Sequence, residues 1–430
     1  MSPTFFRRDT HPRTYAVPRN ADYDASVFKS QWSNPSDILS LLLLLGPEIV
    51  HRAIAQLSGN VVVPVAFSFG WVSYSLTALL AVIGGGRLMP DADFPCLVIG
   101  AKSGHIRNNK SWVLGRLLRD LEKHTDDQLT NNERAHEAET RQSTASARNA
   151  PHAWEALRVC VFSFQEDEEA NHGSPRIDWL WYMGISVVIL QLSISSLPWI
   201  LYGRWGTFFV TFGGTSLSIF SASLPQWRQE KWACPRTSTT VTITRGNGCR
   251  LAMVVLGVRN VGLDLEVLAT GTRTEQSSRL TKLLAPIFAI MWIVLLICVA
   301  GMNDHSWYLL GIGTIGMLQN VFAAGATRRP EALGIQIKLT DVVKGPKVQG
   351  VLKTLEERYP LVGTSLLSVF FPGSMRVKQE EVPFWRDAMN KRMAPNEYGF
   401  RIDALPPEGT LADPILQSQN TLVADEKQLQ

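Results

Sequence analysis

Long apolar runs alternate along the chain with long mixed stretches of charged, polar and apolar residues. Five runs are almost free of charge: Val61–Val82, Trp179–Leu197, Trp205–Leu224, Leu283–Ala300 and Trp307–Ala324. A helix of ~20 residues rising ~1.5 Å each matches a hydrocarbon core ~30 Å thick. Backbone at that depth has no water to bond, so each run is expected to be helical. The pattern predicts a membrane protein built as an α-helical bundle of five transmembrane helices, or six if residues 37–57 also cross. That segment reads DILSLLLLLGPEIVHRAIAQL, which is apolar for only half a span. One reading is an interfacial or re-entrant helix broken at Gly46-Pro47. The other is a sixth span with Glu48 and Arg52 paired at i,i+4. The first is preferred, because a charge at a helix centre costs a few kcal/mol.

The loops set the expected topology. Tyr202-Gly203-Arg204 and Gly301–Ser306 are tight, so both lie on one side. The long segments 83–178, 225–282 and 325–430 then share the other side. Arg87, Arg176, Arg228, Lys231, Lys282, Arg328 and Arg329 flank the spans there, whereas Gly301–Ser306 has no Lys or Arg. The positive-inside rule makes the long segments and the C-terminus cytosolic, in a membrane that the pattern does not name.

Within the long segments a second periodicity appears. Phe94–Ile99, Leu157–Phe164, Thr239–Thr244, Arg250–Leu256 and Gly334–Leu339 are short runs rich in β-branched residues and are expected to be strands. Asn247-Gly248 between two of them predicts a tight hairpin with positive φ at both positions. Ser111 is placed to cap a helix with Leu114, Leu117, Leu118 and Leu121 on one face. Pro346 is placed to open another, with Val348, Val351, Leu352 and Leu355 on one face. An isolated hairpin is barely stable in water, so these elements are expected to form one small cytosolic α+β domain assembled from all the long loops. The run Leu366–Phe371 reads either as a buried strand or as a surface anchor. Residues 1–36 form an N-terminal tail, and residues 124–151 and the tail 406–430 are polar and carry too little apolar surface to order themselves.

Composition changes this picture little. A mean hydropathy of +0.02 averages two opposed populations, and a net charge of +4 with interspersed signs excludes a nucleic-acid-binding face. Cys96, Cys160, Cys234, Cys249 and Cys298 form no C-x-x-C pair, so reduced thiols are expected rather than disulfides or zinc.

Candidate chemistry is sparse. Trp227, Arg228, Lys231 and Trp232 suit a headgroup zone, as an ordinary interfacial belt or as specific lipid recognition. Glu166–Glu169 lacks the spacing of a calcium loop and reads as a solvated acidic run. Gly84–Gly86 and Gly100–Gly104 miss the phosphate-loop register. His51, His105 and His305 have no metal-ligand company, so no metal and no cofactor is expected. Asp91, Asp93 and His105 with Glu166–Glu169 are the only material for a membrane-surface enzyme. Inside the spans, Gln191, Thr211, Thr215, Gln319 and Asn320 are polar, and Gly213, Gly214, Gly313 and Gly316 allow close packing.

With Pro64–Leu80, Ser111–Leu121, Leu224–Pro235 and Thr244–Gly248 in view, the chain resembles a broad, uncharacterised family of multi-pass membrane proteins of filamentous fungi. The resemblance runs over most of residues 30–375 and implies membrane location. The family has no established activity, so it implies no catalytic or binding residue. The expectation from the sequence is a non-enzymatic membrane scaffold or accessory protein whose cytosolic domain docks a protein partner, with the lipid bilayer as its other contact. A transporter or channel using Glu48 and Arg52 is the alternative, and a membrane-bound enzyme acting on lipid or an apolar metabolite is the third.

Overall fold

The computed structural model describes residues 46–125, 155–165, 172–271, 278–302, 306–391 and 401–404. The tails 1–36 and 406–430, nearly all of 124–151, and Glu166–Glu169 lie outside the described residues. In chain order the helices are α1 Pro47–Leu57, α2 Gly70–Ile83, α3 over residues 112–125, α4 Trp179–Tyr202, α5 Gly206–Ala222, α6 Pro225–Lys231, α7 Leu265–Thr270, α8 Arg279–Ala300, α9 Ser306–Gly325, α10 Val348–Arg358, α11 Val362–Phe370 and α12 Val382–Asn390. The strands are β1 Leu97–Gly100, β2 Ile106–Asn108, β3 Leu157–Phe164, β4 Val241–Thr244, β5 Leu251–Leu256, β6 Ile337–Gly345, β7 Ser374–Val377 and β8 Arg401–Ala404. They divide into two compact units.

The first unit holds α1, α2, α4, α5, α8 and α9. These helices close a ring in the order α1–α2–α8–α5–α4–α9. Four of them, α4, α5 with its continuation through α6, α8 and α9, are long and apolar enough to cross a membrane. Their outward positions are apolar: Ile189, Phe212, Ile290, Ile297 and Leu318 are exposed. Their inward positions include Gln191, Ser195, Thr211, Gln319 and Asn320, all buried. An apolar exterior around a polar interior reverses the pattern of a water-soluble bundle and suits a lipid surround.

The run Val61–Val82 is not the continuous helix that its composition predicts. Helix α2 starts only at Gly70, and its 14 residues reach about 21 Å at ~1.5 Å each. Residues 61–69 form no regular element. The reason is local. Val61-Val62-Val63 is β-branched and stiff, and Pro64 removes a donor and pushes Val63 out of the helical region.

The described part of residues 37–57 is helix α1, which begins at the expected break, Gly46-Pro47. Helix α1 buries Val50 and every residue from Ala53 to Leu57, and it packs on α2 and α9. Helices α1 and α2 run side by side in one direction. Gly46 lies against Gly70 at their starts, and the His51 and Tyr74 rings sit 5.7 Å apart. Residues 58–69 therefore run back along α1 before α2 reverses the path.

The second unit centres on a six-stranded mixed sheet in the order β2-β1-β4-β5-β3-β6. Strands β1, β2 and β3 come from residues 87–178, β4 and β5 from 225–276, and β6 from the last segment. Within this sheet β3 and β5 pair in parallel, with Val161 opposite Val254, and the other neighbours are antiparallel; β7 and β8 form a separate parallel pair. Both faces are covered. Helix α3 buries Leu114, Leu117 and Leu118 against Val98, Ile243, Met253 and Phe162 on one face. Val351, Leu352 and Leu355 of α10 and Leu366 and Leu367 of α11 pack on Val159, Val161 and Val254 on the other. Alternate residues of one strand thus feed opposite cores, which is why β3 and β5 read as unbroken apolar runs.

Two local expectations need correction. Strands β4 and β5 form an antiparallel hairpin with Thr244 opposite Ala252, but its connection is six residues, 245–250. Positive φ falls on Gly246 and Gly248 rather than on Asn247. The run Leu366–Phe371 belongs to helix α11 up to Phe370, with Leu366, Leu367 and Phe370 in the core. A short apolar run carries no period long enough to separate strand from helix.

Candidate functional site

An extended backbone buried inside a ring of apolar helices must find hydrogen-bond partners from side chains. Residues 62–69 find them on three of the surrounding helices and on α2. Trp181 Nε1 donates to the Val62 carbonyl at 3.0 Å, and the Val63 amide donates to Ser223 Oγ at 3.2 Å. Ser218 Oγ donates to the Val65 carbonyl at 3.1 Å. The Ala66 amide donates to Gln319 Oε1 at 3.2 Å. The Ala66 carbonyl accepts from Trp71 Nε1 at 3.0 Å and from Asn320 Nδ2 at 3.3 Å. Gln191 Nε2 donates at 2.8 Å to the Phe67 carbonyl and at 2.9 Å to the Ile312 carbonyl, tying α4, α9 and the extended segment together. Asn320 Nδ2 also reaches Ser68 Oγ at 3.1 Å.

Space for this segment is made by glycines. A Cβ on Gly316 would strike the Phe67 carbonyl, and one on Gly184 would strike the Pro64 carbonyl. Gly214 and Gly313 likewise face the rings of Phe67 and Phe69. The small residues that suggest helix-to-helix packing therefore seat the extended chain. On the α8 side, Trp292 lies between Phe67 and Trp71, with ring centroids at 6.1 and 5.7 Å and nearly parallel planes.

The polar side chains are not used up by this framework. Gln191 Oε1, Gln319 Nε2, Asn320 Oδ1, Thr215 Oγ1 and Trp292 Nε1 are buried and have no hydrogen-bond partner among the described residues. Gln191, Asn320 and Trp292 are 0% exposed, and Gln319 is 4% exposed. Buried polar atoms without a partner are uncommon and each calls for an explanation. Four of these side chains converge on one stretch: Gln191, Gln319 and Asn320 bond residues 66–67, and Trp292 stacks on Phe67.

The pair expected to be functional lies elsewhere. Arg52 Nε donates to Glu48 Oε1 at 2.8 Å, but the two side chains are 44% and 64% exposed. They form an outward i,i+4 pair on α1 and do not line the segment.

The second unit contains a buried ionic network. Arg116 binds Asp93 at 2.6 Å and lies over the Trp112 ring at 4.2 Å. Asp120 pairs with Arg119 at 2.5 Å and accepts the Arg328 amide at 2.9 Å. Arg328 grips both oxygens of Asp178 at 2.8 and 2.9 Å. The Glu230 carboxylate accepts from the Met89 amide at 2.7 Å and from Gln226 Nε2 at 2.6 Å. Burial pushes the Asp120 carboxyl above its usual range and the Arg116 guanidinium below its own. Each aspartate of the network faces an arginine, and the bonds join the last segment to the first and the middle segment to the first. A buried pair of this kind is costly to break, so the network fastens three chain segments into one unit.

Trp227, Lys231 and Trp232 are buried, at 1%, 2% and 9% exposure, and only Arg228 of that group is exposed. Trp232 belongs to the sheet core and sits against Gly173 and Gly334. The belt of headgroup contacts expected from their spacing is therefore not available at the two tryptophans; they serve packing. Asp93 is engaged by Arg116. Among the described residues no group of His, Cys, Asp and Glu is arranged to hold a metal ion, and no disulfide joins the five cysteines. Burial pushes the Cys96 thiol up to about 12, far from the reactive range.

No protein-family model, no curated protein and no solved structure matches the chain.

Proposed function

We propose that this protein is a multi-pass integral membrane protein that moves a small solute past residues 62–69. The observation that carries this reading is the extended segment inside the ring of helices, bonded by one atom of each of the Gln191, Gln319 and Asn320 amides while the other atom of each is buried without a partner. Irregular backbone at membrane depth is tolerated where it is buried in protein or lines a path, and interrupted helices are a recurrent way to build a solute site there. The long segments lie on the cytosolic side in this reading, supported by Arg87, Arg176, Lys282 and Arg329 next to the spans.

The test is access of water to the segment. Ser68→Cys, in a background freed of the native cysteines, is expected to react with a membrane-impermeant maleimide in native membranes. Protection of that thiol under all conditions, with Val61→Cys reacting as the exposed control, would sink the transport reading.

The scaffold reading keeps one specific support: the sheet unit gathers strands from all three long segments. Mild detergent extraction of a tagged chain with mass spectrometry separates the two. A stoichiometric soluble partner favours the scaffold.

A further inference from the structure

Resting on the transport reading, we infer that the groups around Ala66 and Phe67 form a binding site for a small uncharged solute that carries both hydrogen-bond donors and acceptors, of the polyol or urea class, rather than for an ion. Among the described residues, the side chains seen to hydrogen-bond residues 62–69 include Trp71, Trp181, Gln191, Ser218, Ser223, Gln319 and Asn320, all of them uncharged. The charged pair nearest in sequence, Glu48 and Arg52, is mutually bonded and faces outward.

The unpartnered atoms are mixed in kind. Gln191 Oε1 and Asn320 Oδ1 are acceptors, Gln319 Nε2 and Trp292 Nε1 are donors, and Thr215 Oγ1 is both. A hard cation is held by oxygens alone, six or so at a time. An anion site is built from donors and positive charge. A set that mixes acceptors and donors around one stretch of backbone matches neither, and it matches a neutral molecule whose hydroxyls or amides present both. The low dielectric of the interior strengthens each such bond, and an ion without countercharge would be strongly disfavoured there.

The discriminating experiment uses the full-length protein in liposomes. Glycerol and urea entry is followed by stopped-flow light scattering, and sodium, potassium and chloride entry by ion-sensitive dyes. Faster glycerol or urea entry than in empty liposomes, without ion entry, is the expected result. Gln319→Glu tests the site, because Oε1 can still accept from the Ala66 amide while the free donor becomes an anionic oxygen. Its glycerol or urea rate is expected to fall about tenfold, a change of ~1.4 kcal/mol, with the protein still monodisperse. Glu48→Gln is expected to leave the rate unchanged. Ion entry without glycerol or urea entry would overturn the solute class and leave transport standing. Entry of neither class would overturn both readings. Glycerol or urea entry that is indifferent to Gln319→Glu would overturn the site.

Discussion

The two units use polar residues for opposite purposes. In the helical ring the polar side chains are neutral and point inward, where they bond a stretch of backbone that has no ladder of its own. In the sheet unit the backbone is largely satisfied by strand pairing, and the buried polar groups include charged pairs, of which Arg328–Asp178 joins distant segments. The difference follows from what each unit must solve. The ring has to accommodate an extended chain inside an apolar surround, which calls for uncharged donors and acceptors. The sheet has to hold together a chain that leaves and returns twice, and buried pairing disfavours any arrangement in which a partner is missing.

Substitutions that affect one unit and spare the other sharpen this contrast. The largest effect is expected at Gly316→Val. Its side chain would overlap the Phe67 carbonyl, which also accepts from Gln191, so neither backbone nor ring can yield. Overpacking costs about 1–3 kcal/mol in ordinary cores and more where backbone must move. The expected outcome is aggregation on size-exclusion chromatography. Gly311→Ala, on the same helix with nothing near its Cβ, is expected to be neutral or to stabilise by up to about 1 kcal/mol. Equal behaviour of the two variants would break the account of the seated segment.

Arg328→Met comes next. It leaves the Asp178 carboxylate buried without its fork of donors, which costs about 3–5 kcal/mol. Limited proteolysis should open the sheet unit first. The companion change Asp178→Asn should restore part of the loss, since contacting residues couple by about 0.5–3 kcal/mol in double-mutant cycles. Strict additivity of the two would mean that the pair does not fasten the unit.

The smallest effect concerns pH. His172 Nε2 donates to the Gln165 carbonyl at 3.2 Å, and burial lowers the imidazole below its ordinary value. The neutral ring is therefore favoured in the folded state, and the unfolded chain takes up the proton first. The contribution of His172 is complete above ~6.5 and is lost as pH falls below that value. The melting temperature should slope downward from pH 7 to 5.5, and His172→Gln should flatten the slope. An unchanged slope would remove His172 as its source.

How much of this is visible in the sequence depends on the range of the interactions involved. The apolar runs at α4, α5, α8 and α9 are recognisable because hydropathy acts within one segment. The same holds for the Leu114–Leu121 stripe and the apolar face of α10, where period and burial agree. Val61–Val82 misleads because window hydropathy does not see Pro64 or the valine run before it, although both are local breakers in plain view. Trp227 and Trp232 mislead because a tryptophan near a span suits an interface and a core equally well, and only packing separates the two.

The candidate site itself could not be read in advance. Gln191, Gln319 and Asn320 are visible as polar residues inside spans, but polar residues there are commonly packing devices. The sequence by itself determined the apolar spans, the long intervening segments and the type of most elements, because each follows from residues a few positions apart. The tertiary structure alone decided that α4, α5 and α9 bring their amides and hydroxyls to residues 62–68. It alone decided, too, that Asp178, Asp120 and Arg328 meet. Those contacts span up to 254 positions in the chain. Their physical cause is the cost of leaving buried backbone groups and charges unpaired, which is met by whatever partner the fold brings near.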